Sequence, residues 1–215
     1  MSNYEKYDAS TLTRVAPTAG CRYVTVEGLN GVGKSTVVNR YMAEHPDVTC
    51  FYPAHPAYLA DTAMKEHALF DATPVASALY YLAALADQRR TLESGGGLAG
   101  RKFLSDRSVW STLAAAYSKD PAILPQLLDA VAPLQGSLLI PQRVVVLKAD
   151  FETCRSRIES RGKGAKWDRD TRLVFDRKYE FYDMLADGGH DLEFVDARGE
   201  ADEVYSAVAA KPLFE

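Results

Sequence analysis

Ten consecutive residues, Glu27-Gly28-Leu29-Asn30-Gly31-Val32-Gly33-Lys34-Ser35-Thr36, carry the most specific chemistry in this chain. They satisfy G-x-x-x-x-G-K-[ST], a pattern whose backbone amides and lysine cradle phosphate groups. Glycine lets successive N–H groups turn inward as an anion-binding nest. A helix beginning near Lys34 would add the positive end of its dipole at the same spot. Gly28, Asn30, Gly31, Val32, Gly33, Lys34, Ser35 and Thr36 are therefore the expected nucleotide-phosphate site. Within it, Lys34 would face the β- and γ-phosphates and the Ser35 hydroxyl would ligate Mg²⁺.

A second group is Asp106-Arg107-Ser108, directly after an apolar stretch that reads as a strand. In open parallel sheets, ligands sit beyond the carboxyl ends of the strands. There Asp106 would hold Mg²⁺, directly or through water, and Arg107 would clamp a transferring or accepting phosphate. The alternative is a surface ion pair. A third group is the basic run Arg155, Arg157, Arg161, Lys163, Lys166 and Arg169. Arg157 and Arg161 are four apart and share a helix face, and Gly162 and Gly164 make the following loop deformable. Phosphoryl transfer needs positive charge on the γ-phosphate and exclusion of water, so this run reads as a closing lid over about residues 155–170. A solvated basic face is the competing reading.

The elements that must position these groups alternate between strand and helix. Strands are expected at Cys21–Glu27, Val48–Tyr52, Lys102–Asp106, Arg143–Lys148 and Leu192–Asp196. Helices are expected at Lys34–His45, Ala57–His67, Pro74–Glu93, Val109–Ser118, Ile123–Val131, Phe151–Arg161, Arg169–Leu185 and Glu203–Ala209. Such alternation describes an α/β domain with a parallel sheet covered on both faces. Residues 1–20 are polar and without periodicity, and are expected to be a flexible extension outside a single domain at 21–215.

Bulk properties narrow the function classes. A net charge of −4 and a pI of about 5.6 give no sign of a nucleic-acid surface. No apolar run approaches the roughly 18 residues that a membrane span requires. The N-terminus lacks a basic region followed by an apolar core, so no secretory signal is expected and the cytoplasm is the expected compartment. Cys21, Cys50 and Cys154 are widely spaced, form no metal or redox motif, and read as reduced thiols.

Taken together, Glu-Gly-x-x-Gly-x-Gly-Lys-Ser-Thr, an Ala-rich helix ending in Asp-x-Arg, and Asp-Arg-Ser resemble the thymidylate kinase and deoxynucleoside kinase group. Arg157-Ile158-x-x-Arg161-Gly162 followed by Asp168-Arg169 is similar to that group's basic lid, and Phe175 to Leu185, with Tyr179 and Tyr182, to the helix that follows it. The resemblance spans about residues 21–210. It implies a three-layer P-loop NTPase fold with a five-stranded parallel sheet, ATP and Mg²⁺, and transfer of the γ-phosphoryl group to a nucleoside monophosphate or a nucleoside. It also suggests a homodimer, and acceptor contacts from an arginine near Asp87, here Arg89 or Arg90.

The chain departs from the group in the acceptor region. Asn30 stands where thymidylate kinases usually carry Asp. After the second strand comes Tyr52-Pro53-Ala54-His55-Pro56, which has neither the Arg-Glu-Pro of thymidylate kinases nor the Glu base of nucleoside kinases, and no arginine lies between Arg40 and Arg89. His55 could bind phosphate, act as a base, or simply sit in a turn. Tyr52 and Trp110 could stack on a base or belong to the core. Glu27 could serve a hydroxyl acceptor as a base, or brace Arg107 or the loop. A monophosphate acceptor, already a competent nucleophile, is the preferred reading. A nucleoside or another small molecule is the alternative.

Overall fold

A computed structural model describes Leu12, residues 15–162 and residues 171–214. Five strands, β1 (Arg22–Gly28), β2 (Val48–Phe51), β3 (Lys102–Asp106), β4 (Arg143–Lys148) and β5 (Asp191–Asp196), form one sheet in the order β2-β3-β1-β4-β5. Every neighbouring pair is parallel. The helices between them are α1 (Lys34–Glu44), α2 (Pro56–Ala60), α3 (Thr62–Glu66), α4 (Pro74–Ser94), α5 (Val109–Lys119), α6 (Leu124–Val131), α7 (Phe151–Ser160), α8 (Arg172–Asp187) and α9 (Ala201–Ala209).

β4 shows why the sheet is covered on both faces. Its apolar residues run without interruption, and successive side chains point to opposite sides. Val144 and Val146 enter a core built with α4, α5, α6 and α8, around Leu82, Leu113, Leu128 and Phe181. Val145 and Leu147 enter the opposite core with Val37, Val38 and Tyr41 of α1 and Val204 and Val208 of α9. All four residues are at most 1% exposed, and each contributes roughly 1.5–3 kcal/mol of burial free energy.

The same parity orients β1. Val24 and Val26 face the α1/α9 core, so Glu27 projects toward α5 and α8. Register places Val26 beside Asp106, and Gly28 beside Leu147. The loop after β1 therefore emerges at the middle of the sheet, next to the end of β3, where a doubly wound sheet forms its ligand crevice.

Helix boundaries follow local capping. Thr73 Oγ1 accepts from the Ala76 amide ahead of Pro74, and the expected start of α4 is confirmed. The single helix expected over Ala57–His67 is instead α2, α3 and a π-helical turn at His67–Asp71. The break lies at Asp61, whose carboxylate accepts from the Met64 amide and starts a new helix. Helix α8 begins at Arg172, capped by Thr171. The 3₁₀ segment Ala132–Ser137 had no signal in the sequence pattern.

The described part of the N-terminal segment does not stand clear of the domain as the sequence pattern suggested. Leu12 and Val15 are buried in the α4/α5/α8 core. The Thr18 amide donates to Ile140 O at 2.9 Å, and the Ile140 amide donates to Thr18 Oγ1 at 2.8 Å. Two apolar side chains and these hydrogen bonds anchor it, a signal too short to register as periodicity.

Candidate active site

The phosphate loop is shaped by close approach on two sides. A Cβ on Gly28 would lie 2.6 Å from the Leu147 carbonyl, and one on Gly31 would collide with the Cys154 carbonyl of α7. The loop is thus pressed between β4 and α7, and side chains at these two positions would displace it. Gly33, with φ 108°, turns the chain into α1. Lys34 is 6% exposed, and its Nζ donates to Leu29 O at 2.7 Å. Burial, together with the neighbouring Arg107, lowers the Lys34 ammonium to about 7, against the opposing pull of Asp106 and Glu27. An entering polyphosphate would reverse that balance by supplying negative charge at the end of the ammonium.

At the end of β3, Asp106 turns to the α1 side and accepts a hydrogen bond from Ser35 Oγ at 2.5 Å through Oδ2. Its Oδ1 is buried without a hydrogen-bond partner among the described residues. A carboxyl oxygen buried without a partner is costly. The Ser35/Asp106 pair has the hard oxygen donors that Mg²⁺ selects, with one lone-pair site open to receive it. These two residues would hold the ion, as the sequence spacing suggested.

Arg107 adopts φ 82°, the one non-glycine residue with positive φ among those described. Several bonds enforce this conformation. Its amide donates to Val26 O at 3.0 Å, and Ser105 Oγ donates to its carbonyl at 2.7 Å. Its guanidinium donates to Asn30 Oδ1 at 2.6 Å and to Ser111 Oγ at 3.3 Å, so Arg107 leans directly on the phosphate loop. Glu27, fully buried, accepts from Ser108 Oγ at 2.6 Å, from Tyr182 OH at 2.9 Å and from Ser111 Oγ. Burial pushes its carboxyl upward, while Ser108, Ser111 and Arg107 oppose that rise. Ser111 was not singled out from sequence, and Tyr182 was named only as part of the segment resembling the helix after the lid, not as a partner of Glu27. The signal was the three-residue spacing of Ser108 and Ser111 on α5, which puts both hydroxyls on one face.

The remaining expected site residues are placed elsewhere. Trp110 is wholly buried and packs edge-on to His190 at 4.8 Å between ring centroids, so it is core and offers no face for stacking. Arg89 donates to Leu138 O at 2.7 Å and Glu93 at 2.8 Å, tying α4 to the segment after α6. Arg90 is exposed on α4. His55 caps α2: its Nδ1 accepts from the Ala57 amide at 3.2 Å, and its own amide donates to Ala84 O. Tyr52, 74% exposed, follows directly on the end of β2.

Arg157 faces away from the expected lid role. Its guanidinium donates to Ala197 O and Gly199 O, each at 2.7 Å, and to Arg198 O at 3.2 Å, fastening α7 to the loop between β5 and α9. Arg161 is the exposed C-cap of α7. Of the other expected lid residues, Arg155 pairs with Glu159 at 3.0 Å along α7, and Lys163, Gly164, Lys166 and Arg169 lie outside the described residues.

No protein-family model and no curated protein matches this sequence. Among solved structures, thymidylate kinase from Ehrlichia chaffeensis matches with a TM-score of 0.62 at 16% identity, covering 89% of this chain and 97% of that one. At that identity the likeness establishes the fold alone, a five-stranded parallel sheet with helices around it. Among the described residues, no helix is long and apolar enough to cross a membrane.

Proposed function

We propose that the protein is an ATP-dependent nucleoside monophosphate kinase. The loop Gly28–Thr36 would seat the ATP phosphates, with Lys34 released from Leu29 O to meet the γ-phosphate. Mg²⁺ held by Ser35 and Asp106 would neutralise charge on the β- and γ-oxygens. Arg107 would hold the acceptor phosphate in line with the γ-phosphorus. An acceptor phosphate oxygen forms the new P–O bond as the bond to the ADP β-phosphate oxygen breaks. Such an oxygen carries no proton to remove, so the site requires no general base.

The observation that favours a phosphate acceptor is the condition of Glu27. It is linked to Arg107 through Ser111, and three hydroxyls occupy it. It is therefore unsuited to take a proton from a nucleoside hydroxyl. A nucleoside acceptor remains the second reading, because Arg89 is engaged with Leu138 and Glu93 and leaves Arg107 to act without it.

The test is ADP release from ATP and Mg²⁺ in the presence of a panel of nucleosides and monophosphates. Turnover on monophosphates supports the first reading, and turnover confined to nucleosides supports the second. No acceptor-dependent ADP across the panel would sink both.

A further inference from the structure

We propose that Glu27 is a positioning residue that aims Arg107 at the phosphate loop, acting through Ser111 and through the turn that Ser108 begins. The inference rests on the phosphoryl-transfer reading for its purpose, but the geometry that carries it belongs to the free protein.

Each serine bonded to Glu27 also accepts from a second group. Ser108 Oγ accepts from the Trp110 amide at 3.2 Å, and Ser111 Oγ accepts from Arg107 Nη1 at 3.3 Å. Each has one hydroxyl hydrogen left to give, and each gives it to Glu27. Tyr182 OH adds a third donor, from α8. The three hydroxyls and Arg107 favour the carboxylate form, against the burial that pushes this carboxyl upward. Its charge lies in a wholly buried position, where it requires a nearby cation. Arg107 is that cation, one hydroxyl away through Ser111.

The consequence for Arg107 is directional. A flexible guanidinium reaching for Asn30 alone would sample several rotamers. The chain Glu27–Ser111–Arg107–Asn30 fixes it from both ends. Ser108, one residue on, is held by the same carboxylate and helps lock the left-handed backbone at Arg107. Glu27 thus prepares the cation before the acceptor arrives, which is how preorganised charge accelerates transfer.

The test is ¹⁵N–¹H spectroscopy of arginine side chains in the full-length, nucleotide-free protein, with Arg107→Lys identifying the Arg107 signals. In the wild type these signals should be sharp and slow to exchange. Glu27→Gln and Ser111→Ala should speed their exchange by about tenfold or more. Ser111→Ala decides the matter if Glu27→Gln does not fold, because Ser111 is only half-buried. Signals unchanged in a folded variant would overturn the proposal. Kinetics supply the second arm, with thymidine 5′-monophosphate and thymidine as probes. If Glu27 acts through Arg107, the double variant Glu27→Gln/Arg107→Ala is no slower than Arg107→Ala, whereas fully additive losses would overturn it. A wild type that transfers no phosphoryl group to either probe would count against the proposed function, and the exchange measurement would still decide the role of Glu27.

Discussion

The two halves of the crevice are built differently. On the donor side the loop is wedged between β4 and α7, Lys34 is buried, and Arg107 is held in an unusual backbone conformation by bonds from three directions. On the side beyond β2, helices α2 and α3 contain no buried residue, and the following π-helical turn buries only Ala68. This second region is fastened at points: Tyr58 OH to Asp87 at 3.0 Å, Lys119 to Leu69 O at 3.0 Å, and the His55 amide to Ala84 O. The difference teaches that close packing is concentrated around the loop to which the proposed function assigns the polyphosphate. The region that would meet an acceptor is attached by a few polar contacts and aromatic edges, such as Tyr58 on Tyr80 at 5.7 Å. Weakly packed segments of this kind open at low free-energy cost.

The largest effects should come from the donor side. Lys34→Ala and Arg107→Ala should each lower turnover by about 10³-fold or more, the scale of losing a cation from the transferring phosphoryl group. Titration with MgATP separates them: Lys34→Ala should lose nucleotide affinity, and Arg107→Ala should keep it and lose acceptor affinity. Near-normal turnover in Lys34→Ala would break the comparison at its stronger end.

Next comes Trp110→Ala, expected to destabilise the fold by about 3–5 kcal/mol, the cost of emptying a large aromatic site in a core. Urea denaturation measures it. A stable variant with a weakened acceptor KM would instead return Trp110 to the acceptor pocket. Arg89→Ala should cost about 1.5–3 kcal/mol through its lost charge-assisted hydrogen bonds, with acceptor KM within about twofold of wild type. A large rise in acceptor KM without loss of stability would make Arg89 a substrate contact after all.

Smaller still, Tyr58→Phe removes the bond to Asp87 and should cost about 0.5–1.5 kcal/mol at most. Its signature is local: amide exchange should quicken over residues 56–71 and stay unchanged in α1. Uniform quickening would mean that the two halves form one cooperative unit. Finally, thiol alkylation should discriminate the cysteines. Cys50 is exposed, whereas Cys154 is buried under the loop with its thiol pushed up to about 11, mainly by burial. A mild alkylating agent near pH 8 should modify Cys50 first, and rapid loss of Cys154 would show that α7 lifts from the loop.

The placement of the loop was legible in the sequence because its constraints are local. Gly28, Gly33, Lys34 and Ser35 are fixed by spacing alone, and the strand ending at Asp106 announces where Asp106 and Arg107 emerge. The five strands were readable because β-branched runs such as Val144-Val145-Val146 leave little choice of state. Side-chain roles set by distant partners were not legible. Nothing near Arg157 in sequence says that it will fasten to residues 197–199, and nothing near Arg89 announces Leu138. Trp110 lies one turn from Arg107, and only the packing of α5 on α8 decides that it points inward. The part of the N-terminal segment that the structure describes was misread for the same reason, since two buried residues, Leu12 and Val15, show no period.

The central claim is that a γ-phosphoryl group leaves ATP at Gly28–Thr36 and is received by a nucleotide beside Arg107. The most direct measurement follows the label from γ-labelled ATP, with Mg²⁺ and a monophosphate panel, in wild type and Arg107→Ala. The expected result is label in a nucleoside diphosphate with the wild type and its loss with Arg107→Ala. Label released only as inorganic phosphate, at the same rate in both proteins, would contradict the claim.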